Sequence, residues 1–245
     1  MEPSGKLAIV TGASRGIGLT GVCVWHNFSY TRRGTMKTRA WNGQMKLFKS
    51  LQLAGLLLAM IFFAGGCALI KDYVVLSYDP QTNVEKIKEA DTVKVKVEIS
   101  DVRAVKDRVS NKINSYGMEM APIIAQNDVA ETLKKAIEAE LKNRGFELAD
   151  GSVLVLAELN KYYNSFKTGF WSGSAAAEVV MNIQVKKPDK SILYSKMIAG
   201  ENSHTVQLAS GKNAKIVLNA ALKDAISKLF GDTSFLDSLF KASKN

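Results

Sequence analysis

The segment from Met45 to Cys67 constrains every reading of this chain. Met45-Lys46-Leu47-Phe48-Lys49 is a short cationic head. Leu51 to Phe63 is a thirteen-residue run in which Gln52 is the one strongly polar side chain, and Ala64-Gly65-Gly66-Cys67 follows. At a helical rise of about 1.5 Å per residue the run reaches about 20 Å, well short of the ~30 Å hydrocarbon core of a bilayer. A basic head, a short apolar run and small residues before a cleavage point read, in that order, as an export signal. A removable signal in mid-sequence means that the 245 residues are not one folding unit. They divide into an extension (1–44), the signal (45–66), a tether (67–91) and a domain (92–245).

Composition sharpens the division. Residues 1–66 hold eight basic side chains and one acid, seven of the ten net positive charges. The remainder is nearly balanced, so the basic pI is no argument for nucleic acid binding. Two cysteines and two histidines support neither a disulfide scaffold nor a His-rich metal site. Neither a nucleic acid nor a metal is therefore expected as a partner.

Ala64-Gly65-Gly66-Cys67 resembles the lipobox of bacterial lipoproteins. The resemblance implies cleavage between Gly66 and Cys67, a diacylglycerol on the Cys67 thiol, and an N-acyl chain (such as palmitate) on its new amine. Three acyl chains exceed the two that stable anchoring requires. Ala68, rather than Asp, follows the cysteine; by the same resemblance this favours the outer membrane, facing the periplasm. Cys67 is the one cysteine from that point onward, so no disulfide forms within the mature chain.

The extension carries a different signal. Lys6-Leu7-Ala8-Ile9-Val10 precedes Thr11-Gly12-Ala13-Ser14-Arg15-Gly16-Ile17-Gly18, which resembles the cofactor turn of short-chain dehydrogenases. There, glycines equivalent to Gly12, Gly16 and Gly18 let backbone approach a pyrophosphate at a helix N-terminus. Tyr163 and Lys167 repeat that family's Tyr-x-x-x-Lys pair, and Ser152 lies upstream. An NAD(P)-dependent oxidoreductase is thus the alternative reading. Its context is poor: Val22 to Tyr30 is β-branched and aromatic with no helical period, and the export signal occupies the place of the second strand. Residues 1–44 read as an addition to the working protein, with Met45 as its start.

The mature chain numbers 179 residues, enough for a domain with its own core. Val93, Val95, Val97 and Ile99 alternate with charged neighbours and predict a strand; Tyr73–Leu76 is extended enough to join a sheet. Arg103 to Gln126 reads as a long polar loop with at most a short strand near Tyr116–Met120. Asn127 to Arg144 is predicted helical, capped by Asp128 and stopped by Gly145. Val153–Leu159, Ala175–Val185 and Ile192–Ala199 predict three more strands, the last two a hairpin across Lys187–Lys190. Asn213 to Phe230 is a second helix, with a short helix after it. The expected fold class is α+β, a small antiparallel or mixed sheet with two helices packed on one face.

The order of these elements resembles the YajG-type family of uncharacterised bacterial lipoproteins. The carriers are Cys67, Ser100-Asp101-Val102-Arg103, Tyr116-Gly117-Met118-Glu119, Leu141–Phe146, Gly169-Phe170 with Gly173, Ala209–Ala214 and Leu218–Phe240. The resemblance implies an envelope lipoprotein with no established catalytic residues or cofactor. The sequence offers no catalytic set of its own. Asp101 and Arg103 read as a structural ion pair, Glu140 as part of a solvated helix face, and His204 as a surface residue. Tyr162, Tyr163, Phe166, Phe170 and Trp171 cluster near a strand connection; they read first as side chains that cap the sheet's open end or pack beneath the helices, and otherwise as candidate contacts for a partner, an envelope protein or an amphiphile. The expected role is a non-enzymatic adaptor or structural component held by its lipid anchor.

Overall fold

The computed structural model describes residues 69–150, 153–169 and 171–244. The extension with Gly12, Gly16 and Gly18, the signal, Gly66, Cys67, Ser152 and Phe170 lie outside the described residues.

Among the described residues, eight strands form one mixed sheet. In chain order they are β1 (Asp72–Val74), β2 (Lys94–Asp101), β3 (Ser110–Ile113), β4 (Glu119–Ala125), β5 (Glu147–Leu148), β6 (Val153–Lys167), β7 (Gly173–Lys186) and β8 (Ile192–Val206). Among the described residues three α-helices accompany them: α1 (Val129–Asn143), α2 (Gly211–Phe230) and α3 (Thr233–Ser243).

Strand β6 organises the sheet. Along one edge it pairs antiparallel with β7, which pairs antiparallel with β8. Its other edge is shared. The first half pairs in parallel with β2, from Val95↔Val153 to Asp101↔Leu159. The second half meets β3 at Ser110↔Asn164. Beyond β3 come β4, antiparallel, and then β1, parallel to β4.

All three helices pack on one face, over a single apolar cluster. In β7, Ala175, Ala177, Val179, Met181, Ile183 and Val185 point into it, at the period-2 spacing the sequence predicts. Helix α1 begins where Asp128 accepts hydrogen bonds from the Ala130 and Glu131 amides. It ends as the chain turns through Gly145, whose φ of 97° suits glycine. Leu133, Ile137 and Leu141 between them are fully buried, each contributing about 2 kcal/mol.

Two expectations change. Residues 103–126 are not a loop with one short strand: β3 and β4 form a hairpin that fills half of an edge of β6. Strand β6 does not stop at Leu159 but continues to Lys167 through a bulge between Leu159 and Lys161. The extra residue resets the alternation, so Leu159 and Tyr162 both face the helices. The described part of the expected tether packs on the domain, with Val74, Leu76 and Ala90 buried.

Candidate functional site

Four chain segments meet at one end of the sheet. Strands β3 and β6 run parallel, so the β3–β4 turn and the β6–β7 turn emerge together. A Cβ placed on Gly117 would lie 3.5 Å from Thr168 Oγ1. Pairing of Gly173 with Val206 brings in the β8–α2 connection. Parallel pairing of β1 with β4 sends the residues before Asp72 back toward the same end.

Polar contacts fix this entry of the chain. Lys112 Nζ donates to the Ile70 carbonyl at 2.8 Å and pairs with Asp72 Oδ1 at 2.6 Å. Gly211 N–H, at the start of α2, donates to Asp72 Oδ2 at 2.7 Å. Burial works against the Asp72 carboxylate, but the hydrogen bonds from Lys112 and Gly211 outweigh it and hold its pKa below the usual value. Asp72 thus ties the first strand to β3 and to α2 at once.

Between the turns lies a cavity of about 370 Å³ bordered by Asn114, Phe166, Gly169, Trp171, Ser172 and Gln207. Around it large apolar side chains stand among polar ones: Tyr116, Met118, Trp171 and Leu208 are exposed, as are Leu69 and Ile70 at the chain entry. Trp171 is 86% exposed.

The aromatic cluster expected from the sequence is divided by the fold. Trp171 stands at the rim and Phe166 is partly buried against the core. Tyr162 is removed from any partner surface: it is 1% exposed because the bulge turns its ring under the helices. Burial raises its phenol pKa, with the Arg103 charge opposing. Tyr163 points to the opposite, helix-free face and is half-buried. There the Asn111 amide lies 3.4 Å from its hydroxyl. The residues sequence reasoning missed are Tyr116, Met118 and Leu208. Tyr116 and Met118 share the β3–β4 turn while Leu208 lies in the β8–α2 connection, and only the strand pairing brings these segments together.

The Tyr163–Lys167 pair is not a catalytic dyad. Both residues lie on β6, where four positions span about 13 Å rather than one helical turn. The Tyr163 phenol is moreover shifted upward, first by burial and then by Glu119, the reverse of what proton abstraction needs.

Two ionic pairs are structural. Arg103 grips Asp101 with two bonds, Nε to Oδ1 at 3.0 Å and Nη2 to Oδ2 at 2.8 Å, as the sequence suggests. Glu140 corrects its expectation: it is fully buried, not solvated. It pairs with Arg144 one turn later and accepts from Tyr78 Oη and the Gln81 amide, both at 2.7 Å. Arg144 in turn stacks over Phe230 with its guanidinium carbon 4.3 Å from the ring centre. Burial, and then the Glu140 carboxylate, push the Tyr78 phenol far above its ordinary pKa. This network clasps residues 78–81 to α1 and α2. Among the described residues no group of His, Cys, Asp and Glu side chains is placed to hold a metal, and no helix is long and apolar enough to cross a membrane.

A family model described as "uncharacterized lipoprotein" matches residues 80–239. No curated protein matches the chain. Among solved structures, a protein from Xanthomonas campestris is 11% identical with a TM-score of 0.48, over 72% of this chain and 100% of that one. A minor lipoprotein from Acinetobacter baumannii is 9% identical with a TM-score of 0.34, over 55% of this chain and 88% of that one. A hypothetical protein from Chlamydia trachomatis is 7% identical with a TM-score of 0.32, over 57% and 99%.

Proposed function

The chain belongs to this family of uncharacterized lipoproteins, and on that premise we propose that it is exported, cleaved before Cys67 and held by lipid on that cysteine. It then serves as a non-enzymatic adaptor or structural component of the envelope, at the outer membrane and facing the periplasm. One observation carries the reading. Cys67, the residue that follows the signal read in the sequence, stands only five positions before Asp72, where the first strand of the sheet begins. An anchor there leaves the whole α+β domain on the outer side of its membrane attachment.

The chemistry of the domain agrees with binding rather than catalysis. Among the described residues its buried charges, Arg103, Lys112, Glu140 and Arg144, are each paired with an opposite charge within the fold. The test is the intact mass of the species in the membrane fraction. The expected result is a chain that starts at Cys67 and carries diacylglycerol and N-acyl mass, and a Cys67→Ser variant that leaves the membrane fraction. A soluble, unprocessed chain retaining residues 1–66 and binding NAD(P) would overturn the reading.

A further inference from the structure

We propose that the apolar end of the domain is a membrane-contact surface, with Leu69, Ile70, Tyr116, Met118, Trp171 and Leu208 seated in the headgroup region of the leaflet that holds the anchor. This rests on the lipidation of Cys67 proposed above.

The first argument is reach. Two residues separate Leu69 from Cys67, and extended chain covers at most about 7 Å over that length. The headgroup layer is itself about 5–8 Å deep on each side of the hydrocarbon core. An acylated Cys67 therefore brings the chain entry to the depth of the headgroups. Lys112 and Asp72 fix Ile70 to the sheet end, so the domain arrives there in one orientation.

The second argument is composition. Three separate turns present large apolar side chains at this end: Tyr116 and Met118, Trp171, and Leu208. A tryptophan and a tyrosine with aliphatic neighbours are the side chains that settle at a membrane–water interface. The opposite end of the β7–β8 hairpin is the charged turn Lys187-Pro188-Asp189-Lys190. The third argument is charge. Lys71, Lys167 and Lys212 are exposed at the apolar end and complement anionic lipid. Of the acids on the same end, Asp72 is paired with Lys112 at 2.6 Å and Glu119 accepts from the Asn111 amide at 2.7 Å.

Trp171 reports directly on the proposal. Trp25 and Trp41 precede Cys67, so Trp171 is the one tryptophan after cleavage. The lipidated protein is purified, its lipid verified by mass, and inserted into vesicles of phosphatidylethanolamine and phosphatidylglycerol. A blue shift of Trp171 emission, quenching by brominated acyl chains and loss of acrylamide quenching are expected. In the exposed double variant Met118→Ser with Leu208→Ser, emission returns toward the aqueous position while the melting curve is unchanged. Absence of lipid on Cys67 removes the anchoring premise. Verified lipid with Trp171 still open to acrylamide overturns the membrane seat alone and assigns the rim to a protein partner.

Discussion

Gly200 of β8 lies beneath Ala225 of α2 so closely that a Cβ on Gly200 would stand 2.6 Å from the Ala225 Cβ and overlap the Ala221 carbonyl. Helix and strand meet backbone to backbone there, which only a residue without a side chain permits. Gly200→Ala is therefore expected to destabilise the domain by about 3 kcal/mol, because neither backbone can yield without moving its element. Urea denaturation reads this as a lower midpoint at constant slope. An unchanged midpoint would contradict the close approach.

The Glu140–Arg144 pair supports a second prediction. Truncating one member of a buried ion pair leaves the other unpaired at a cost of about 3–5 kcal/mol. Glu140→Ala should show such a loss and should also release Tyr78 and Gln81, which both bond to the lost carboxylate. Limited proteolysis is expected to gain a site near residues 78–81. Replacing both charges together by Leu and Met should cost much less than Glu140→Ala alone.

Among the described residues strand β8 pairs with β7 alone, so its other side is an edge of the sheet. The middle of that side is already occupied: Asp224 accepts from the Glu201 amide and Lys228 donates to the Ala199 carbonyl, both at 2.9 Å. Asp224 and Lys228 also pair with each other at 2.8 Å. These side chains sit where a second strand would dock, a recognised way to keep edges from pairing. Asp224→Ala with Lys228→Ala is expected to cost under about 1 kcal/mol, yet to bring on concentration-dependent self-association. Sedimentation velocity across a dilution series decides it, and a monomer at all concentrations counts against the role.

Acid should weaken the fold through Asp101 and Asp232. The Arg103 hydrogen bonds lead in holding the Asp101 carboxyl below its usual pKa, and those from Lys196 lead for Asp232, with burial opposing both. A folded pKa below the unfolded value, about 3.9, gives stability that is present above that value and lost as pH falls through the folded one. Stability should thus be flat near neutrality and decline below about pH 4. Asp101→Asn should flatten the acid slope as well as lower the plateau. Parallel acid slopes for the two proteins would remove Asp101 from the account.

The helices were legible because their signals are local. Asp128, the Val129–Leu141 stripe and Gly145 state a start, a face and a stop without help from the rest of the chain. The β7–β8 hairpin was legible for the same reason. The β3–β4 hairpin was not, since β3 has four residues and Pro122 sits within β4, opposite Asn111. The second half of β6 was hidden by its bulge, which breaks the alternation that marks a strand. Glu140 looked like any solvated acid, because its partner Tyr78 is 62 residues distant. Of the apolar end, Trp171 was visible in the sequence. Tyr116, Met118 and Leu208 acquire meaning only from pairing that brings three turns together.

The bond between Asp72 and Gly211 closes a loop of 139 residues. On a chain that emerges N-terminus first, Asp72 is among the first residues of the folded domain to appear, and Gly211 follows only after most of that domain. The strand nearest Cys67 therefore completes its ties only when α2 is in place. Until then α1 and the strands from β2 to β7 can assemble while the anchor-side seam stays open. The seam that sets how the domain stands on its attachment is thus the one that waits for nearly the whole domain to be made.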